Sequence, residues 1–250
     1  MTLRPAITLA LSVSLTVVIS IAATYGLIKA HINEEVETQV ARYVEENPRI
    51  FFNATVAVAR ADAEAHSQLQ QKQQSEALQL AANGSNLLIK GNPDGDVSIV
   101  MFSDYQCGYC KRSHAVLTEL LEQDSGIKLI VKEFPVLGEL SLTAARLAIA
   151  IHTIAPEKYP AFSDHALEAN LSSVESLLDI ASSLDISNGD LRIALTDPAI
   201  DQHITDNAAL AEQLGVNGTP AFIVGNTLYP GALELPQLAA LVEAQRGTVQ

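Results

Sequence analysis

At 250 residues the chain has room for one domain with attachments, or for two small ones. Its 15 basic residues against 29 acidic ones give a net charge of −14, which excludes a nucleic-acid surface built on phosphate contacts. Two cysteines exclude a four-cysteine zinc site and any network of disulfides, and an apolar fraction of 48% excludes wholesale disorder.

The apolar residues are unevenly spread. Ala6 to Ile28 runs 23 positions without a charge. As a helix it would span about 34 Å, against a hydrocarbon core of roughly 30 Å. Arg4 precedes the run; Lys29, Glu34, Glu35 and Glu37 follow it. This pattern predicts a single-span anchor over 1–29 with its N-terminus inside and the rest of the chain exported. A cleaved signal peptide is the competing reading, with Ser20-Ile21-Ala22 as its cleavage site. The length of the run favours the anchor.

From Leu27 to Asn83 there is no glycine and only one proline. Asn47-Pro48 is a helix-restart signal, since Asn caps and Pro fits the first helical position. One helix is expected near 31–46 and a second near 48–81. Ile32, Val36, Val40 and Val44 share one face of the first. So narrow a stripe cannot hold a helix alone in water. The region 30–84 therefore reads either as a plain spacer or as an oligomerisation stalk, although no clean heptad supports a coiled coil.

After Ser85 the pattern becomes mixed. Strands are expected at 86–90, 97–103 and 127–134, with a helix at 108–123 between the last two. That β-α-β order implies a parallel pair with a right-handed crossover. Helices follow at 142–152, 159–168, 174–184 and 198–214, with Pro156, Gly189 and Asp197-Pro198 as punctuation. Strands return at 221–224 and 227–229 around a Gly225-Asn226 hairpin turn, and a helix closes the chain near 235–245. The sum is an α/β domain over 85–250, interrupted by a helical insertion at about 139–215.

The only two cysteines form Cys107-Gly108-Tyr109-Cys110, where a strand hands over to a helix. A thiolate there meets the positive end of the helix dipole and the unpaired N–H groups of the first turn. Its pKa falls, and the thiolate is the nucleophile of disulfide exchange. Cys107 is then the exposed attacker, and Cys110, one turn inside, resolves the mixed disulfide. Zinc would need two further ligands, and His114 reads as a surface residue of an amphipathic helix, so no metal is assigned. Haem attachment needs a His directly after the second Cys, where Lys111 stands. A purely structural bridge would close too small a loop to stabilise much. No organic cofactor is required. His31, His66, His152, His165 and His203 share no ligand spacing. Gly218-Thr219-Pro220 precedes an apolar strand; a cis proline there would leave the Thr219 backbone free for an extended substrate segment.

The run Phe102 to Cys110, the helical insertion and Gly218-Thr219-Pro220 together resemble the DsbA family of thioredoxin-fold thiol–disulfide oxidoreductases, over about residues 86–247. The helix broken at Asn47-Pro48 resembles, more loosely, the N-terminal arm of its ScsC-like branch, which implies a trimer. The resemblance implies a thioredoxin-like fold with a helical insertion, a periplasmic setting, substrate proteins bearing thiols or disulfides, and a membrane redox partner that resets the active site. Cys107 would be the nucleophile, Cys110 the resolving thiol, and Thr219 and Pro220 the substrate-binding pair. Two departures stand out. Met101 replaces the buried Glu that oxidising members carry six positions before the first cysteine. Lys132 or Glu133 on the neighbouring strand either supplies that proton transfer or is an edge charge reaching solvent. The dipeptide Gly108-Tyr109 lacks the His of strong oxidants and, with Thr219, is similar to the pairing in the isomerases DsbC and DsbG. These departures tilt the expectation toward an isomerase or reductase over an oxidase. A tethered client- or metal-binding module with little turnover is the reading of another class.

Overall fold

The computed structural model describes residues 4–83 and 87–248, the side chains of residues 4–19, 21, 50, 51 and 248 excepted. The chain divides into two compact units, Met1–Gln68 and Leu69–Gln250. In the first, helix α1 (Arg4–Glu46) ends where α2 (Pro48–Asn83) begins. The break falls at Asn47, as its sequence suggests, but the side chain works backwards. Asn47 Nδ2 and its backbone N–H both donate to the Tyr43 carbonyl, at 2.9 and 3.0 Å, and so serve the end of α1 instead of the start of α2. Ile32, Val36, Val40, Tyr43 and Val44 are exposed. Among the described residues no helix is long and apolar enough to cross a membrane. Most of the expected span 6–28 lies outside the residues whose side chains are described.

The second unit is built on a five-stranded sheet of order β1-β3-β2-β4-β5. Its strands are β1 (Leu88–Gly91), β2 (Val97–Ser103), β3 (Ile127–Glu133), β4 (Ala221–Val224) and β5 (Thr227–Pro230). Only β2 and β3 run parallel, joined through α3 (Gly108–Gln123); the other pairs are antiparallel. The expected crossover is thus present, and so is the helical insertion between β3 and β4. It consists of α4 (Glu139–Ile154), α5 (Tyr159–Glu168), α6 (Val174–Ser183), α7 (Asn188–Ala194) and α8 (Pro198–Leu214). Helix α9 (Leu235–Thr248) closes the fold. Gly225 turns β4 into β5 with φ +61°, a conformation that glycine adopts without a Cβ clash. Helix α7 is an addition to the expected set. Gly189 was expected to punctuate, yet it lies in the first turn, where Ser187 Oγ accepts from the N–H groups of Gly189 and Asp190.

Both faces of the sheet are covered, which is why β2 and β3 read as nearly continuous apolar runs. The pleat sorts their side chains. Ile99, Met101, Leu129 and Val131 face the layer formed by α3, α9 and helices α4 to α7 of the insertion. Val100, Phe102 and Ile130 face the other way, onto Leu210, Ala211 and Leu214 of α8 and Ala77, Leu78 and Ala81 of α2. The end of α2 therefore belongs to the core of this unit, which begins at Leu69, well before the boundary of 84/85 expected from sequence. Burying one leucine and two alanines there contributes roughly 3 kcal/mol. A chain begun at Leu69 should unfold at the same urea concentration as one begun at residue 30. A chain begun at residue 85 should lose about 2–4 kcal/mol, read from urea melts followed by circular dichroism.

Candidate functional site

Cys107 occupies the N-cap of α3, with φ −77° and ψ 115°. Its own N–H donates to the Asp104 carbonyl at 3.1 Å, which closes the turn leading out of β2. The two cysteines are not joined by a disulfide in this structure. Cys107 keeps 7% of its surface and Cys110 none, so the attacking position is narrower than the open one expected from sequence. What narrows it is the loop before β4. The Thr219–Pro220 peptide bond is cis, and the Cys107 Sγ–H donates to the Thr219 carbonyl at 3.3 Å. The two sequence motifs, over a hundred residues apart, thus meet at one sulfur.

The two thiols differ electrostatically. Burial pushes the Cys107 thiol up, but hydrogen bonds to its thiolate from the Thr219 hydroxyl, the Cys110 N–H and thiol, and the Tyr109 N–H outweigh burial and leave it below the ordinary cysteine value. Burial pushes the Cys110 thiol up to about 12, and the adjacent Cys107 charge adds to that rise. One sulfur therefore ionises more readily than an ordinary cysteine and the other far less readily. Gly108 has open space where a Cβ would stand. Tyr109 is exposed, and the Arg112 guanidinium lies over its ring, 4.0 Å from the centroid. Lys111 donates through Nζ to the Ala169 carbonyl beyond α5, so neither cation near the motif simply points to solvent. His114 is buried, against the expectation of a surface residue. It lies between Asp164 and Glu168 of α5, 3.7 and 3.6 Å away, because α5 packs directly on this face of α3. Burial, helped by Lys90, holds its pKa down.

Sequence reasoning missed Asp104. Its carboxylate accepts from Gln106 N at 2.8 Å, Ser141 Oγ at 2.7 Å, Val136 N at 2.8 Å and Leu137 N at 3.0 Å. The local bond to Gln106 is an Asx turn that an Asp before the motif could have announced; the other partners lie more than thirty residues on. Val136 and Leu137 are exposed apolar residues on the loop that Asp104 holds.

Lys132 and Glu133, named together in sequence, are separated by the pleat. Glu133 pairs in register with Ser103 and points to the face that holds the cysteines. It is fully buried. Its Oε1 accepts from the Tyr105 hydroxyl at 2.9 Å, while Oε2 has no hydrogen-bond partner among the described residues. Burial raises its pKa to about 8, against the lowering effect of the Tyr105 bond. Lys132 pairs with Phe102 and points to the opposite face. The structure therefore brings Glu133, but not Lys132, to the side of the thiols, and neither residue is an edge charge in open solvent. Among the described residues no group of histidine, cysteine and acidic side chains could hold a metal ion.

A thiol of lowered pKa at a helix N-terminus, a shielded second thiol and a facing cis proline make the pattern of a thioredoxin-fold dithiol oxidoreductase. A family model described as DSBA-like thioredoxin domain matches residues 98–243, and the chain belongs to this family of thiol–disulfide oxidoreductases. Among solved structures, a thioredoxin-like oxidoreductase from Silicibacter pomeroyi is 36% identical, with 68% of this chain and 97% of that one covered and a TM-score of 0.63. The thiol-disulfide exchange protein alpha-DsbA2 from Wolbachia pipientis is 33% identical, with 72% and 97% covered and a TM-score of 0.65. Proteus mirabilis ScsC in a compact conformation is 27% identical, with 87% and 99% covered and a TM-score of 0.61. The chain spans 24% of the length of the curated relatives it matches, Na(+)/H(+) antiporters NhaA 3 of Salinispora tropica and NhaA 1 of Salinispora arenicola. Each is 24% identical over 158 residues, 62% of this chain.

Two predictions follow from the titrating groups. Alkylation of the reduced chain should modify Cys107 first, with a pH midpoint below that of free cysteine; Thr219→Val, which removes a donor to the thiolate, should move that midpoint upward. Glu133 holds its proton more tightly folded than unfolded. Its contribution to stability is therefore full below the ordinary glutamate range and is lost as pH rises toward about 8. In urea melts, the stability of Glu133→Gln relative to wild type should grow from about pH 5 to about pH 8, by up to a few kcal/mol, on the order of 1.4 kcal/mol per unit of pKa shift.

Proposed function

We propose that the chain is an exported protein thiol–disulfide oxidoreductase that acts on substrate proteins through Cys107 and Cys110, tilted toward isomerase or reductase chemistry. The observation that carries this reading is the asymmetry of the two thiols beside a cis proline. The Cys107 thiolate attacks a substrate disulfide, forming a mixed disulfide and releasing a substrate thiolate. Cys110 then gives up its proton and attacks Cys107 Sγ; the substrate's second sulfur leaves as thiolate, and the Cys107–Cys110 disulfide remains. Glu133, on the same face of the sheet and titrating near neutral pH, is the carboxyl assigned to that proton. The Thr219 backbone beside Pro220 receives an extended substrate segment. No cofactor enters the cycle. A membrane redox partner resets the disulfide.

Gly108-Tyr109 places no imidazole between the cysteines, and Thr219 precedes the proline; both support the tilt. The exposed apolar face of Ile32, Val36, Val40 and Val44 supports a stalk that buries this stripe in a homo-oligomer and gathers several active sites around one misfolded substrate. The charge-free run 6–28 supports an anchor with the catalytic unit on the periplasmic side of the inner membrane; cleavage after Ala22 would instead release it. A DsbA-type oxidase is the second reading, favoured by the lowered Cys107 pKa, since stabilising the reduced form makes the disulfide more oxidising.

The test is reactivation of a scrambled-disulfide protein by pre-reduced residues 30–250 in glutathione-free buffer, with Cys107→Ser as control. Recovery that requires Cys107 is the expected result. Rapid oxidation of a reduced substrate by the disulfide form, without such recovery, would assign an oxidase. Retained client binding by Cys107→Ser, with no turnover from wild type in either assay, would make the chain a binding module.

A further inference from the structure

The pleat that carries Glu133 toward the thiols carries Lys132 away from them, into a second chamber. There Lys132 lines an open groove of about 490 Å3 along α8 near the end of α2, with the exposed Leu80, Ala199, Gln202 and Gln213 and the half-buried His203 among its walls. Lys132 is 7% exposed, yet among the described residues its ammonium has no hydrogen-bond acceptor and no carboxylate at ion-pair distance. Burial lowers its pKa, and no neighbouring negative charge opposes that shift. The stem is buried and the ammonium opens only onto this groove, so no protein group neutralises it there.

The other polar groups of the chamber do not supply the missing partner. Asp206 is exposed at the rim, and its Oδ1 accepts from Gln202 Nε2 at 2.7 Å. Asn207 Nδ2 donates to the Glu133 carbonyl at 3.1 Å. Burial and the positive charges of Lys132 and His152 lower the His203 pKa, against the pull of Asp206. The chamber thus offers one unneutralised ammonium, amide and imidazole groups able to donate, and apolar walls at Leu80, Ala199, Ala209 and Leu210.

We propose that this chamber is a binding site for a small oxyanion, a short-chain carboxylate or a phosphate monoester, whose charged group pairs with Lys132. It lies on the face of the sheet opposite the cysteines and is distinct from the dithiol site, so the proposal stands whichever direction of disulfide exchange the chain catalyses. The anion supplies the countercharge that the fold omits, and its apolar remainder lies against the alanines and leucines of α2 and α8.

The test is thermal unfolding of the full chain in detergent, titrated with inorganic phosphate or butyrate at ionic strength fixed with chloride. Wild type is expected to show a saturable rise in Tm with at least one of the two, and the one that acts assigns the anion as phosphate or carboxylate. Lys132→Met should fold at least as stably as wild type without ligand, since it removes an unpaired buried charge, and should weaken the half-saturating concentration by about tenfold or more. Lys132→Arg should recover part of the effect, and Asp206→Asn should strengthen it by removing a like charge at the rim. No saturable rise over chloride with either anion, or an undiminished rise in Lys132→Met, would overturn the proposal.

Discussion

Four donors from three segments converge on the carboxylate of Asp104, and the geometry of both thiols rests on that convergence. Gln106 N holds the turn that leads to Cys107, while Val136 N, Leu137 N and Ser141 Oγ bind that turn to the loop after β3 and to the first turn of α4. Asp104 also accepts the Cys107 N–H through its backbone carbonyl. The carboxylate is nearly enclosed, at 1% exposure, and these bonds replace the hydration it loses. Its bonds fix the angle at which α3 leaves the sheet, and with it the distance between Cys107 and the Thr219 carbonyl.

Given that frame, one structural fact separates the chemistry of the two sulfurs. Cys107 is the last residue before the helix and Cys110 lies one turn within it. Both belong to one buried cluster, but the first can gather N–H donors from Tyr109 and Cys110, whereas the second has no exposed surface. Hydrogen bonding governs one thiol and desolvation the other, although both belong to one short motif. The cis peptide completes the site from outside the motif: it turns the Thr219 carbonyl and hydroxyl toward Cys107 Sγ while Pro220, without an N–H, makes no competing claim as a donor.

How much of this could be read in the sequence depended on the range of each interaction. The strand–helix junction at Cys107, the parallel pair, the helical insertion and the hairpin at Gly225 all follow from local patterns. Thr219-Pro220 was legible only because the two cysteines gave it a context. Asp104 was not legible, since its decisive partners lie at 136, 137 and 141. His114 looked like a surface residue because nothing in α3 announces that α5 will cover it. The buried end of α2 was hidden by the glutamines around it, although Ala77, Leu78 and Ala81 hold the i, i+1, i+4 spacing of a helix face. Helix α7 was hidden by Gly189, whose cost within a helix is offset by the Ser187 cap.

The hardest pair to read was Lys132-Glu133, where sequence adjacency misleads. On a strand, adjacent side chains point to opposite faces of the sheet. Because β3 is covered on both sides, each charge is buried in a different layer and meets a different environment. Glu133 finds a phenol and a raised pKa close to the range in which protons move readily near neutrality. Lys132 finds a chamber with no counterion. A central strand of this kind is an expensive place for either residue, and a pair of apolar residues there would fit the rest of β3. Both ionisable side chains stand where burial penalises their charged forms, Glu133 with an unpartnered Oε2 and Lys132 with no countercharge on its groove, which argues that their positions answer to chemistry on the two faces and not to the stability of the sheet.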